Sequence, residues 1–258
     1  MSLRAELRAL LAAVAFLTRL PVGRPAALDG GDVARASLVF PLVGAGLGAL
    51  AGVVAQGLSH RLSPLLAAAL AVGAVAVATG ALHLDAVADT ADALGGGTRE
   101  RRLEIMRDHA IGAYGAVALV LDVGIRIAAL AALAGRHQAV LAGVAAGALS
   151  RATAPLVGSV LPYARASGGS GQSMARSSRL RAVGAGCIAT GIAVAALGSS
   201  GAVLAGCAAA LAVALALAWR RWLGGVTGDT LGAGIEATEL LCLVVAVALA
   251  GAGAGAGT

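Results

Sequence analysis

Apolar runs long enough to cross a bilayer recur along this chain, separated by short polar stretches. The pattern predicts spans over residues 36–58, 62–82, 110–134, 138–160, 182–199, 202–218 and 231–252. The expected fold is all-α, a polytopic transmembrane helical bundle of about seven spans, because lipid offers backbone polar groups no partner outside their own segment. Residues 1–258 read as a single integral membrane domain. Within it, 1–35 is an N-terminal interfacial segment, 83–109 and 219–239 are the chemically rich polar segments, and 251–258 reads as a disordered Gly-Ala tail. Arg4 and Arg8 precede a short apolar stretch, Leu10 to Leu17, that runs into Thr18-Arg19-Leu20-Pro21 without a small-x-small cleavage site. It is expected to be retained as a short interfacial helix rather than removed as a signal.

Composition sharpens this picture. The chain is 59% hydrophobic and only 12% charged, with a mean hydropathy of +0.90, whereas soluble domains carry about 25% charged residues. Alanine and glycine dominate the apolar runs, and small residues let helices approach closely in lipid. Aromatic residues are too few to mark a membrane-interface belt. Cys187, Cys207 and Cys242 sit in apolar runs without metal or redox spacing and read as small buried hydrophobes.

Every basic side chain besides histidine is arginine, 19 in all. No basic patch alternates with aromatics, so nucleic-acid binding is rejected. The arginines instead set an orientation. With a cytoplasmic N-terminus, Arg4, Arg8, Arg19, Arg24, Arg35, Arg99, Arg101, Arg102, Arg107, Arg165, Arg176, Arg179, Arg181, Arg220 and Arg221 all fall inside the cell. Only Arg61 and Arg136 fall outside, a strong positive-inside bias that places the C-terminus outside. Most acidic residues then share the arginine-rich face.

The chain has 13 acidic residues, and three of them are Asp85, Asp89 and Asp92. On a helix, offsets of 0, 4 and 7 fall within an arc of about 60°. Three carboxylates held that close call for a cation between them, and hard Mg²⁺ bridging to substrate phosphates suits such oxygen donors. A solvated helix face is the plainer reading, but Ala86, Val87, Ala88 and Ala91 make the opposite face apolar. After the Gly95-Gly96-Gly97 turn, Glu104 and Asp108 stand four apart and could complete a metal site, while Arg101, Arg102 and Arg107 could grip phosphate. His83 and His109 read as plain interfacial polar residues. In the stretch 224–239, glycines lead into a helix start at Thr227-Gly228-Asp229, where free backbone N–H groups suit phosphate. It has no Gly-Lys-Ser/Thr ending and is not a Walker motif. Asp229 and Glu236 share a face, and Glu236 and Glu239 enter the last span, where an unpaired charge costs about 3 kcal/mol. Deeper still, Asp122 and Arg126 read as a mutually satisfied i, i+4 pair, and Arg151 has no partner nearby in sequence.

These motifs, together with Phe16-Leu17-Thr18-Arg19-Leu20-Pro21 and Phe40-Pro41-Leu42-Val43-Gly44, resemble the cobalamin synthase family, the adenosylcobinamide-GDP ribazoletransferases. The segment from His83 to Asp108 with Gly112 and Gly115, and the segment from Gly224 to Glu239, carry the resemblance most specifically. Ala86 stands where the family usually has glycine. The resemblance implies a multi-pass enzyme of the bacterial inner membrane with its site facing the cytoplasm. A hydroxyl of α-ribazole, or of its 5′-phosphate, would attack the cobinamide-linked phosphate of adenosylcobinamide-GDP and release GMP. Mg²⁺ would be held by Asp85, Asp89 and Asp92 with Glu104 and Asp108. Asp85 and Asp89 would act in catalysis, with Asp229 or Glu236 accepting the proton. Arg19, Arg101, Arg102, Arg107, Thr227 and Gly228 would bind substrate. Membrane lipid is an expected partner, and a homo-oligomer or a complex with other late cobalamin enzymes is left open. Prenyl and phospho-alcohol transferases also use Asp-rich motifs, but the second acidic cluster here does not repeat the first. An ion-coupled transporter would place its key charges at Asp122, Arg126 and Arg151.

Overall fold

A computed structural model describes residues 3–22, 30–108, 110–165, 172 and 177–255. The helices are α1 (Leu3–Leu17), α2 (Gly30–Ala36), α3 (Phe40–Leu58), α4 (Pro64–Thr79), α5 (Leu82–Asp92), α6 (Arg99–Ile105), α7 (Ala113–Ala134), α8 (Ala139–Gly158), α9 (Arg179–Leu197), α10 (Ser199–Leu223) and α11 (Gly228–Gly255). Among the described residues no strand forms beyond one isolated bridge, Tyr163 to Val226. Among the described residues, six helical segments are long and apolar enough to cross a membrane: Val33–Leu58, Ala113–Ala134, Ala139–Gly158, Arg179–Leu197, Ser199–Leu223 and Gly228–Ala252. Each predicted span therefore falls on a helix, with one difference in form. The segment expected to run straight through 62–82 is a bent pair, Pro64–Thr79 and Leu82–Gly95, turned by 92°.

The bend has a local cause. Ser63 caps α4 by accepting from Leu66 N–H at 3.3 Å, Pro64 opens the helix, and Gly80 (φ 63°) and Ala81 (φ 55°) end it in left-handed geometry. Alanine adopts that geometry only at a cost. Arg19 lies directly over Gly80, and its N–H donates to the Ala78 carbonyl at 2.8 Å. At 1.5 Å per residue, the 16 residues of α4 rise about 24 Å, short of a bilayer core of about 30 Å. We therefore read α5 as lying across the end of the bundle rather than extending α4 through it.

Close packing comes from missing side chains. In α3, Gly44 and Gly48 lie against the carbonyls of Gly147 and Gly143 of α8, so that a Cβ at either would collide with backbone. This is the small-residue contact that membrane helices use. Gly48→Leu is expected to destabilise the bundle by about 3 kcal/mol, the upper end for overpacking. Gly46→Leu is the matched control, since nothing lies within 4 Å of a Cβ there. Thermal melting in detergent checks the pair; equal melting temperatures would remove this contact from the account.

Successive helices alternate in direction, so one end of the bundle collects the start of α3, the end of α4, all of α5 and α6, and the adjoining ends of α7 to α11. Arg61 and Arg136 lie in turns at the opposite end. The stretch from 251, expected to be disordered, stays helical through Gly255; residues 256–258, like Arg24, His109 and Arg176, lie outside the described residues.

Candidate active site

Two distant helix starts meet at the collecting end. The first is α5, whose apolar face buries Ala86 and Ala88. Ala86 packs where α11 has Gly232; a Cβ added there would come within 2.6 Å of Ala86 Cβ. Ala86 is thus accommodated by a glycine across the contact. Asp85 faces outward and Asp89 is half-buried. The second is α11, whose first turn carries Asp229. Thr227 and Thr230 close a reciprocal cap: Thr230 N–H donates to Thr227 Oγ1 at 3.1 Å and Thr227 N–H to Thr230 Oγ1 at 2.9 Å. Thr227 is thereby buried, its hydroxyl 3.4 Å from Asp229 Oδ2.

A third segment supplies a cation that the sequence reading counted only toward orientation. Residues 162–164 pair with Val226, through Ala164 N–H to the Val226 carbonyl at 2.8 Å and Val226 N–H to the Pro162 carbonyl at 2.9 Å. This pairing delivers Arg165, whose Nη2 donates to Asp229 Oδ2 at 2.5 Å and to the Met106 carbonyl at 3.3 Å. No local spacing could have flagged a partner 64 residues away.

The assembled carboxylates are out of balance. Burial, together with Asp85, Asp229 and Asp92, pushes the Asp89 carboxyl up to about 7, although Arg165 opposes the shift. Beside the cluster lies a cavity of about 270 Å³ lined by Arg19, His83, Asp85, Gly228 and Asp229 on its polar side. His83 is buried and its imidazole is pushed down to about 4, by burial and by the nearby Arg151 and Arg126 against the pull of Glu236, so it is neutral.

Other predicted site residues are engaged elsewhere. Asp92 accepts from Gly112 N–H at 2.7 Å and Gly115 N–H at 2.8 Å, capping the start of α7. Glu104 pairs with Arg101 at 2.7 Å on the exposed side of α6. Asp108 accepts from Ala110 N–H at 3.1 Å. Arg102 donates to the carbonyls of Gly96 (2.8 Å) and Trp222 (3.0 Å) and lies over the Trp222 ring, fastening α6 to the end of α10; Arg99 does the same through Leu223 and Ala164. Arg107 is exposed just past α6. Glu236 sits below the cavity in a buried ion network rather than in the cleft. There the expected Asp122–Arg126 pair proves to be part of a larger set. Arg126 also bonds Glu236 and Glu239 (2.9 Å), Arg151 finds its partner in Glu239, and His83 Nδ1 lies 3.6 Å from Glu236. Neither Glu236 nor Glu239 is left unpaired.

Among the described residues, no three Asp, Glu, His or Cys side chains are placed to hold an ion by themselves. Burial first, and then repulsion from Asp85, Asp229 and Asp92, raise the Asp89 carboxyl, and Arg165 offsets only part of this. Mg²⁺ characteristically takes one or two carboxylates and completes its shell with water and substrate phosphate, which this set fits.

Fold and site together define a multi-span membrane enzyme with an acidic cleft at one end of its bundle. The chain belongs to the cobalamin-5-phosphate synthase family, whose model matches residues 9–247. It is 44% identical over 241 residues to the adenosylcobinamide-GDP ribazoletransferase of Bradyrhizobium diazoefficiens, covering 91% of each chain. The Pseudomonas aeruginosa protein of the same name is 42% identical over 94% of this chain and 98% of its own, and that of Shigella flexneri is 39% identical over 90% and 96%. No solved structure matches the chain.

Proposed function

We propose that this chain is a membrane transferase that carries out the nucleotide-loop assembly step of cobalamin biosynthesis. It joins adenosylcobinamide-GDP to α-ribazole, or to α-ribazole 5′-phosphate, and releases GMP. The observation that carries the reading is the convergence of Asp85, Asp89 and Asp229, with Arg165, beside a cavity bearing Arg19. A ribose hydroxyl attacks the cobinamide-linked phosphorus, the bond from that phosphorus to the GMP oxygen breaks, and the hydroxyl proton leaves to a carboxylate. Catalysis of this kind is mainly positioning and charge neutralisation.

Each residue has a role in this reading. Arg19 and the Gly228 N–H hold phosphate oxygens. Asp229, oriented by Arg165, accepts the proton, a role that the ion-paired Glu236 cannot reach from below the cavity. Asp85 and Asp89 are the carboxylates that would hold Mg²⁺, and the ion would supply positive charge toward the diphosphate oxygens. The lopsided arginine distribution supports a cytoplasm-facing cleft in a bacterial cell membrane.

In this scheme a proton on Asp89 would occupy the oxygens that the carboxylate would offer to Mg²⁺. With burial and its neighbours holding its carboxyl up at about 7, Asp89 is expected to carry a proton below that pH and to release it before it could serve as a ligand. The Mg²⁺ concentration for half-maximal GMP release is therefore expected to rise as pH falls from 8 to 6, by at most about tenfold per pH unit below 7. An assay with both substrates across that range checks it. GMP release that ignores Mg²⁺ at every pH contradicts the assigned site.

A further inference from the structure

The chain contains only two phenylalanines, Phe16 and Phe40, and both line the 270 Å³ cavity. Their rings stack, with centroids 5.7 Å apart and planes 20° from parallel. Phe40 is fully buried, whereas Phe16 is partly open, so Phe16 presents the ring and Phe40 backs it. Leu231 and Ile235 of α11 belong to the same apolar cluster and line the same cavity.

This apolar side has no free hydrogen-bonding side chain. The two hydroxyls lining the cavity are committed to their own helices, Thr18 Oγ1 donating to the Val14 carbonyl at 2.7 Å and Thr79 Oγ1 to the Val75 carbonyl at 2.9 Å. The remaining polar lining of the same cavity is Arg19, His83, Asp85, Gly228 and Asp229, of which Arg19, Asp85, Gly228 and Asp229 are taken up by phosphate, metal and proton in the proposed reaction and so are not left for a guanine edge. Guanine presents a row of donors and acceptors along one edge, and burying that edge without partners is costly. A benzimidazole base has no such edge and gains by stacking on an aromatic face.

We infer that this cavity is the acceptor subsite, seating the apolar bicyclic base of α-ribazole on Phe16 with its ribose toward Asp85 and Asp229, and that the guanosine of the other substrate lies outside it. The inference rests on the transferase reading for the identity of the two substrates. It makes Phe16 a determinant of acceptor specificity and Phe40 a positioning residue that acts through Phe16.

Equilibrium dialysis of α-ribazole against the full chain in detergent tests this without turnover. Base-on-aromatic stacking is worth about 1–3 kcal/mol, so Phe16→Leu is expected to weaken α-ribazole binding by about tenfold or more. Phe16→Tyr, which keeps the ring, is expected to bind like wild type. Ala15→Leu narrows the cavity without removing a contact and is expected to lose binding as well, and retained GDP binding in both variants shows that they are folded. GDP binding, measured in parallel, should move by less than about twofold. Unchanged α-ribazole binding in Phe16→Leu overturns the inference, and loss of GDP binding in its place hands the cavity to guanosine. A chain that binds α-ribazole through Phe16 yet transfers nothing contradicts the transferase reading and leaves this one standing. A chain that turns over but binds α-ribazole independently of Phe16 does the reverse.

Discussion

Asp89→Asn is expected to lower kcat by about 10²- to 10³-fold while making the metal-free protein more stable. The first effect is the usual cost of removing one well-placed electrostatic group from a reacting centre. The second follows from the cluster itself. Burial and three neighbouring carboxylates hold Asp89 well above its ordinary range, so its ionised form is disfavoured by the fold. Sign and window follow from linkage. A carboxyl bound to its proton more tightly in the folded chain takes stability away as pH rises from its unfolded value of 3.8 toward 7. An amide carries no charge to desolvate, so the gain in melting temperature should be present at pH 8 and absent at pH 4. Activity lost together with stability would mark Asp89 as structural. Activity lost while stability rises is the signature of a group held in strain for function.

Arg126→Met is expected to do the opposite, disrupting the fold itself. Arg126 is buried and bonds three carboxylates, those of Asp122, Glu236 and Glu239. Its removal leaves Arg151 alone to balance them, and breaking a buried ion pair from one side costs about 3–5 kcal/mol because the abandoned charge stays buried. With stability of about 5–15 kcal/mol to lose from, that is a large fraction. Little folded protein should survive extraction, and Arg126→Lys should rescue only in part, since a lysine cannot reproduce the forked contacts to several carboxylates. A variant that melts like wild type would show the network to be dispensable. The network also bears on the transporter alternative, since Asp122, Arg126 and Arg151 are tied to Glu236 and Glu239 by ion pairs within one buried set.

How much of this was legible in the sequence depended on the range of the physics involved. The helices were legible because bilayer thickness fixes the length of an apolar run. The break at Gly80-Ala81 was not, because hydropathy continues across it; the turn is made by two successive left-handed residues with the Arg19 side chain packed over the first. The aspartate triplet was legible as a helical face, and of the three Asp85 lines the cavity while Asp89 is half-buried beside it. The fate of Asp92 was not, since it is decided by the start of α7, 20 residues on. Arg165 was invisible because its importance comes from backbone pairing between 162–164 and Val226. Glu236 and Glu239 were recognised as needing partners, but Arg126 and Arg151 reach them from other helices.

The most direct measurement is a product balance. Purified wild-type chain in nanodiscs would receive adenosylcobinamide-GDP, α-ribazole and Mg²⁺, with GMP and corrinoid product quantified together by mass spectrometry. The account predicts one adenosylcobalamin for each GMP released, no release when either α-ribazole or Mg²⁺ is omitted, and loss of both products in Asp85→Asn and Asp89→Asn. GMP released without a matching corrinoid product, or matched products that persist in both aspartate variants, would contradict it.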